Sequence, residues 1–159
     1  MNCRIIDIHT HIYPVALARR AMEVTGHEND DFKKLPIREN LLARMQEARV
    51  DISVNLPVVS KPQNQGEVNR FAKEAARKNI ISFGGLHPDC ENVIEELEKL
   101  KDMEMAGIKF HPPFQKVHLE DPKYEEMWRK INELGFPVLI HMGTARIVRP
   151  YDLYPSGIR

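Results

Sequence analysis

The sequence predicts an α/β fold of parallel strands. Three observations predict it: short apolar runs alternate with amphipathic helices at intervals of about thirty residues, the runs are too far apart for hairpins, and most of them end on a histidine. The chain has 159 residues, with 42% hydrophobic and 29% charged content, which suits one soluble globular domain over residues 1–159.

The first strand is "CRIIDI". The helix "PVALARRAMEVTG" follows, with Pro14 opening it and Gly26 closing it, the favoured asymmetry of helix ends. "HENDDFKKL" is a polar surface loop. "PIRENLLARMQEARV" is a second helix with Ile37, Leu41, Met45 and Ala48 on one face. "VDISVNLPVV" is the second strand, stopped by Pro57 and Pro62. The helix "QGEVNRFAKEAARKN" is expected to bury Val68, Phe71, Ala72, Ala75 and Ala76.

"IISFGGL" is the third strand and "ENVIEELEKLKDM" its helix, a solvated one with Glu95 and Lys99 a turn apart. "AGIKF" is the fourth strand. "DPKYEEMWRKINELG" is the next helix, with Asp121 as N-cap, Pro122 at the first helical position and Gly135 past the end. Its core stripe is Tyr124, Met127, Trp128, Ile131 and Leu134. "FPVLIHMG" is the fifth strand. The pattern fits both an open doubly wound sheet and a closed (β/α)8 barrel. No glycine-rich dinucleotide loop follows the first strand.

The 23 basic and 23 acidic residues cancel, which argues against nucleic acid or an anionic membrane as partner. No run approaches the roughly 18 apolar residues that span a bilayer. Asp7, His9 and His11 interrupt any signal-peptide core. Cys3 and Cys90 read as free thiols in a reducing cytoplasm rather than as a disulfide framework.

The chemistry gathers on the histidines. Alternate strand side chains share a face, so Asp7, His9 and His11 project together, and the two imidazoles can converge on one ion. Asp7, one step deeper, is expected to hold a hydrogen-bond network beneath them. His87, His111 and His141 also end strands, on the edge where active sites of parallel folds assemble. His27 and His118 lie in loops without a role. His141 closes an apolar strand and is the natural third ligand, the bland alternative being a satisfied core histidine. Lys109 and His111 share a face of the fourth strand and are the candidate catalytic pair. Lys109 can pair with a substrate carboxylate, bridge two metals once carbamylated, or salt-bridge Asp7. A polar turn explains His87 equally well. Phe114, Gln115 and Tyr151 to Pro155 are either pocket lining or ordinary loop.

At "IIDIHTHIYP", "GGLHPD", "GIKFHPPFQ" and "FPVLIHMGT" the sequence resembles the amidohydrolase superfamily, in particular the amidohydrolase-related group that includes carboxymuconate-semialdehyde decarboxylase-like enzymes. The resemblance implies a (β/α)8 barrel with one divalent metal, usually zinc, on His9, His11 and His141. It implies a hydrolase acting on a C–N or C–O bond of a small-molecule substrate, or a nonoxidative decarboxylase. A TatD-like nuclease or phosphoesterase begins similarly, but its pattern expects glutamate where Lys109 stands. The remaining alternative is an inactive half-barrel that binds a partner. Five strands are present where the family has eight, and the sixth-strand histidine and eighth-strand aspartate have no counterpart. The expectation is therefore a barrel truncated after the fifth strand, with exposed sheet edges that favour self-association or a separate C-terminal half.

Overall fold

The computed structural model describes residues 3–24 and 31–143. In chain order its elements are β1 (Ile6–Thr10), α1 (Val15–Val24), α2 (Arg38–Ala48), β2 (Ile52–Asn55), α3 (Gln65–Ala75), β3 (Ile80–Ser82), β4 (Gly84–Gly85), α4 (Val93–Asp102), β5 (Ile108–Phe110), α5 (Pro112–Gln115), α6 (Glu125–Glu133) and β6 (Val138–Ile140). Short 3-10 turns precede α2, α3 and α6. Every paired strand is parallel. The sheet orders are β1-β2-β3 and β4-β5-β6.

The two sheets are one run of strands with a seam. β3 and β4 lie on the same extended segment, separated only by Phe83. The Phe83 N–H donates to the Asn55 carbonyl on one side, while the Ser82 carbonyl accepts from Ala106 N–H on the other. The strand therefore hands its hydrogen bonds from β2 to β5 within a few residues. The architecture is that of a partial (β/α)8 barrel: five strand segments, each joined to the next through helix.

Strand alternation sorts the side chains. The outward residues of β5, Ile108 and Phe110, join one core with Leu97 and Leu100 of α4 and Met127 and Ile131 of α6. The inward residue Lys109 is in register with Gly85 and Leu139. A smaller core of Ala18, Leu35 and Ile37 lies under α1. The α6 entry follows the sequence expectation closely. Asp121 accepts from Lys123 N–H, Pro122 opens a 3-10 turn, and Gly135 takes the left-handed conformation (φ 68°) that ends the helix.

Three helix faces differ from their periodicity. Ala48 is exposed, because α2 ends there and Arg49 turns left-handed (φ 58°). In α3, Val68, Phe71 and Ala76 are only half-buried, while polar Gln65 and Asn69 are fully buried. Those two amides face strand ends that need hydrogen bonds, and that need outranks hydropathy. On α4, Lys99 pairs with Glu96 at 2.7 Å rather than with Glu95. No helix among the described residues is long and apolar enough to cross a membrane.

The first strand is the least covered element. Among the described residues β1 pairs with β2 alone, and its register slips by one residue between Asp7 and Thr10. Ile6 and Ile8 are 51% and 63% exposed. Elsewhere the contacts are tight. A Cβ on Gly107 would lie 2.5 Å from the Phe83 ring and 2.7 Å from the Pro137 carbonyl oxygen. Gly107→Ala is therefore expected to destabilise the fold by about 1–3 kcal/mol. Denaturant unfolding of the two chains checks this, and an unchanged midpoint refutes it.

Candidate functional site

His9 and His11 meet as the strand alternation predicts. Their Nε2 atoms are 3.2 Å apart, with the rings edge-on at 69°. His11 Nδ1 donates to the Leu56 carbonyl at 2.7 Å. That bond puts the His11 proton on Nδ1 and leaves the Nε2 lone pair facing His9. Burial pushes His11 down to about 4, and His9 is also lowered, so both are neutral near pH 7.

Asp7 plays a different part from the one expected. Its carboxylate accepts from the His9 backbone N–H at 3.0 Å, across the turn of the bulged strand. The ring anchor beneath the pair is the Leu56 carbonyl at the end of β2. The Leu56 N–H in turn bonds Thr10 O, which ties that carbonyl to β1.

His111 and His141 form a second group. Phe114, His111 and His141 stack face to face: His111 lies 4.1 Å from Phe114 and 4.0 Å from His141, with interplanar angles of 7° and 10°. The Phe114 N–H donates to His111 Nδ1, and His141 N–H bonds Phe110 O. Burial, reinforced by the positive fields of His141 and Lys109, pushes His111 down to about 3. His141 is lowered by burial, by Lys109 and by His9.

Lys109 links the two groups. It is 1% exposed, and among the described residues its Nζ has no hydrogen-bond partner. The salt bridge to Asp7 does not form. Burial alone pushes Lys109 down to about 8. Its charge depresses His9, His11, His111 and His141 alike, so all four imidazoles lie within its field. The inner face of the sheet thus carries one lysine and four neutral imidazoles.

His87 stands apart from this group. It is buried, its N–H donates to Gln65, and its Nδ1 accepts from Asp89 N–H. It is a turn histidine. His118 sits half-buried beside Glu120. His27 and Tyr151 to Pro155 lie outside the described residues.

Gln115 holds the rim together, which sequence reasoning left undecided. Its Oε1 accepts from His111 N–H at 2.9 Å, and its Nε2 donates to Val59 O at 3.0 Å and Leu86 O at 2.6 Å. Asn69 does the same for Gly85, accepting from its N–H and donating to its carbonyl. For Asn69 the only signal was a polar residue on an otherwise apolar helical stripe, and for Gln115 a place in the turn after the fourth strand. A mostly apolar groove of about 570 Å³ opens next to the site, lined by Ile12, Tyr13, Leu17, Val58, Val68 and Phe71. It reaches the histidines only through the residues after His11.

As donors, His9 and His11 fit a metal. Two nitrogens each 2.0–2.1 Å from one tetrahedral ion are about 3.3 Å apart, close to the 3.2 Å seen. Among the described residues no group of three or more His, Cys, Asp or Glu side chains is drawn together as a complete site. The pair is preformed, and the His141 ring is stacked on His111.

Residues 6–156 match the family model described as Amidohydrolase. No curated protein matches the chain. Among solved structures, the chain is similar to the 5-carboxyvanillate decarboxylase of Novosphingobium aromaticivorans, solved with manganese and 3-methoxy-4-hydroxy-5-nitrobenzoic acid, at TM-score 0.71 and 16% identity over 89% of this chain and 51% of that one. It is also similar to the apo form of Metarhizium anisopliae IDCase, at TM-score 0.68 and 14% identity over 88% of this chain and 50% of that one. The chain spans about half the length of these structures.

Two measurements follow from the site. Gln115→Leu leaves three buried backbone groups unpartnered, at about 1–3 kcal/mol each, so it should unfold at markedly lower denaturant than the parent chain; an equal midpoint removes the clamp. The second concerns acid. His11 and His111 are neutral when folded, whereas the unfolded chain takes up protons near 6.5, so their contribution is complete above about 6.5 and falls as pH drops toward 4 and 3. Without added metal, stability between pH 7 and 5 should fall by an amount on the order of 1–2 kcal/mol per imidazole, and a His11→Asn, His111→Asn chain should lose less.

Proposed function

The chain belongs to the amidohydrolase family, and from that premise we propose that it carries the metal-binding part of a hydrolase acting on a C–N or C–O bond of a small molecule. The observation that carries this reading is the His9–His11 pair, 3.2 Å apart with the His11 ring fixed by Leu56 O. His9 and His11, with His141 as the third donor, would hold one divalent ion, zinc in the first instance and manganese as the alternative. Such an ion supplies Lewis-acid chemistry, acidifying water and polarising the scissile group.

The chain's own residues prepare for that chemistry. Burial keeps the imidazoles neutral, which is the form that ligates. Leu56 O orients His11, and the Phe114–His111–His141 stack limits rotation of His141. Lys109 and His111 face the same interior and are the residues proposed to meet substrate. A nonoxidative decarboxylase is the second reading. It is favoured by the unpaired Lys109 Nζ, which can receive a carboxylate, and by the names of the two decarboxylase-like structural neighbours. The exposed β1 edge supports a further proposal: the sheet is completed by a C-terminal half or a second copy. The free Cys3 and Cys90 are in keeping with a reducing, cytoplasmic setting.

Metal titration tests the central claim. Zinc or manganese added to the metal-free chain should bind at one equivalent. His11→Asn should weaken it by at least the roughly 10–100-fold that loss of an outer partner costs a metal site. A His9→Asn, His11→Asn chain that binds as tightly as the parent would sink the metal site. Product analysis separates the two reactions, since only a decarboxylase releases carbon dioxide.

A further inference from the structure

We propose that Lys109 and His111 form a two-point clamp for one carboxylate group of the substrate. The inference deepens the functional reading above and rests on it for the identity of this face as a substrate site.

Three observations carry it. First, Lys109 Nζ is buried and has no partner among the described residues, although its residue is only 1% exposed. A buried ammonium without a counter-ion is costly, and a ligand anion is what removes that cost. Second, the proton of His111 is assigned by its neighbours. The Phe114 N–H, shared with the His111 carbonyl at 3.0 Å, also reaches Nδ1 at 3.4 Å, which favours the neutral tautomer with its hydrogen on Nε2, where it can be given to a ligand. Third, Lys109 and His111 are two residues apart on one strand segment, so they project from the same face with α-carbons roughly 6.5–7 Å apart. Side chains so placed on one face can meet the two oxygens of one carboxylate, one oxygen accepting from the ammonium and the other from the imidazole N–H.

The surroundings select the group further. His111 is sandwiched between the Phe114 and His141 rings and its N–H is fixed by Gln115, so the second donor is rigid. No acidic side chain among the described residues bonds Lys109, so a carboxylate entering there displaces no internal partner. The Phe114 ring stacked on His111 and Leu139 in register with Lys109 are apolar neighbours, which favours a singly charged group over a strongly hydrated dianion.

The test uses the full metal-free chain and follows the ring carbon-bound protons of His111 and His141 by NMR. Acetate should give a saturable shift, and acetamide, its uncharged counterpart, and inorganic phosphate should bind at least about tenfold more weakly, as loss of one charge-assisted bond implies. Lys109→Met should weaken acetate by a similar factor. His111→Gln, which keeps an N–H donor, should retain more affinity than His111→Phe. Equal binding of acetate and acetamide, equal binding of phosphate, or an unaffected Lys109→Met chain overturns the clamp. So does a carbamate carbon on Lys109 after addition of 13C-bicarbonate. If Lys109→Met does not fold, the comparison of acetate with acetamide on the parent chain decides alone. Because no metal is added, failure of metal binding leaves this result intact, and failure of the clamp leaves the metal pair untouched.

Discussion

The structure depends on satisfying backbone groups at the ends of parallel strands. A parallel ladder leaves its last amides and carbonyls without a neighbour, and here those ends are buried beneath loops. Side-chain amides complete them. Asn69 closes both bonds of Gly85, Gln65 reaches the N–H of His87, and Gln115 joins the segments after β2, β4 and β5. The segments that carry the histidines are thereby held by direct bonds rather than by apolar packing alone. Main-chain geometry at the rim, and so the position of each ring, follows from three amides that do no chemistry themselves.

Above that frame the electrostatics run in one direction. Asp7 apart, the titratable groups gathered on the inner face are bases, each shifted toward its uncharged form by burial, and the four imidazoles also by the positive field of Lys109. An interior so arranged attracts either a cation that uses nitrogen lone pairs or an anion that meets the lysine. The two demands do not compete, because His11 presents a lone pair whereas His111 presents an N–H. The tautomers are set by different backbone partners, Leu56 O for one ring and Phe114 N–H for the other. Chemical roles within a set of similar side chains are thus divided by main-chain hydrogen bonds.

Much of this was legible in the sequence, and the reason is periodicity. Strand alternation brought His9 and His11 together, and the proline and glycine at the ends of α6 marked its limits because backbone geometry leaves those residues few other places. What stayed hidden was long-range. The seam at Phe83 depends on two different neighbours competing for one strand. The burial of Gln65 and Asn69 depends on strand ends some twenty residues away in sequence, which hydropathy cannot register. Asp7 shares the predicted face yet bonds the main chain, because the slipped register of β1 brings the His9 N–H within reach of its carboxylate. Lys109 could be placed on a face but not shown to lack a partner, since solitude is a property of the whole interior.

β1 gives the arrangement a further consequence. Two of the proposed ligands sit on or just after a strand that, among the described residues, has β2 as its one neighbour and two isoleucines turned to solvent. Whatever free energy an ion gains from His9 and His11 must also hold that strand in register, so occupancy and local order are thermodynamically linked. Anything that lies along the edge of the strand away from β2 would therefore tighten the ion's grip from a distance, with no atom of its own near the nitrogens.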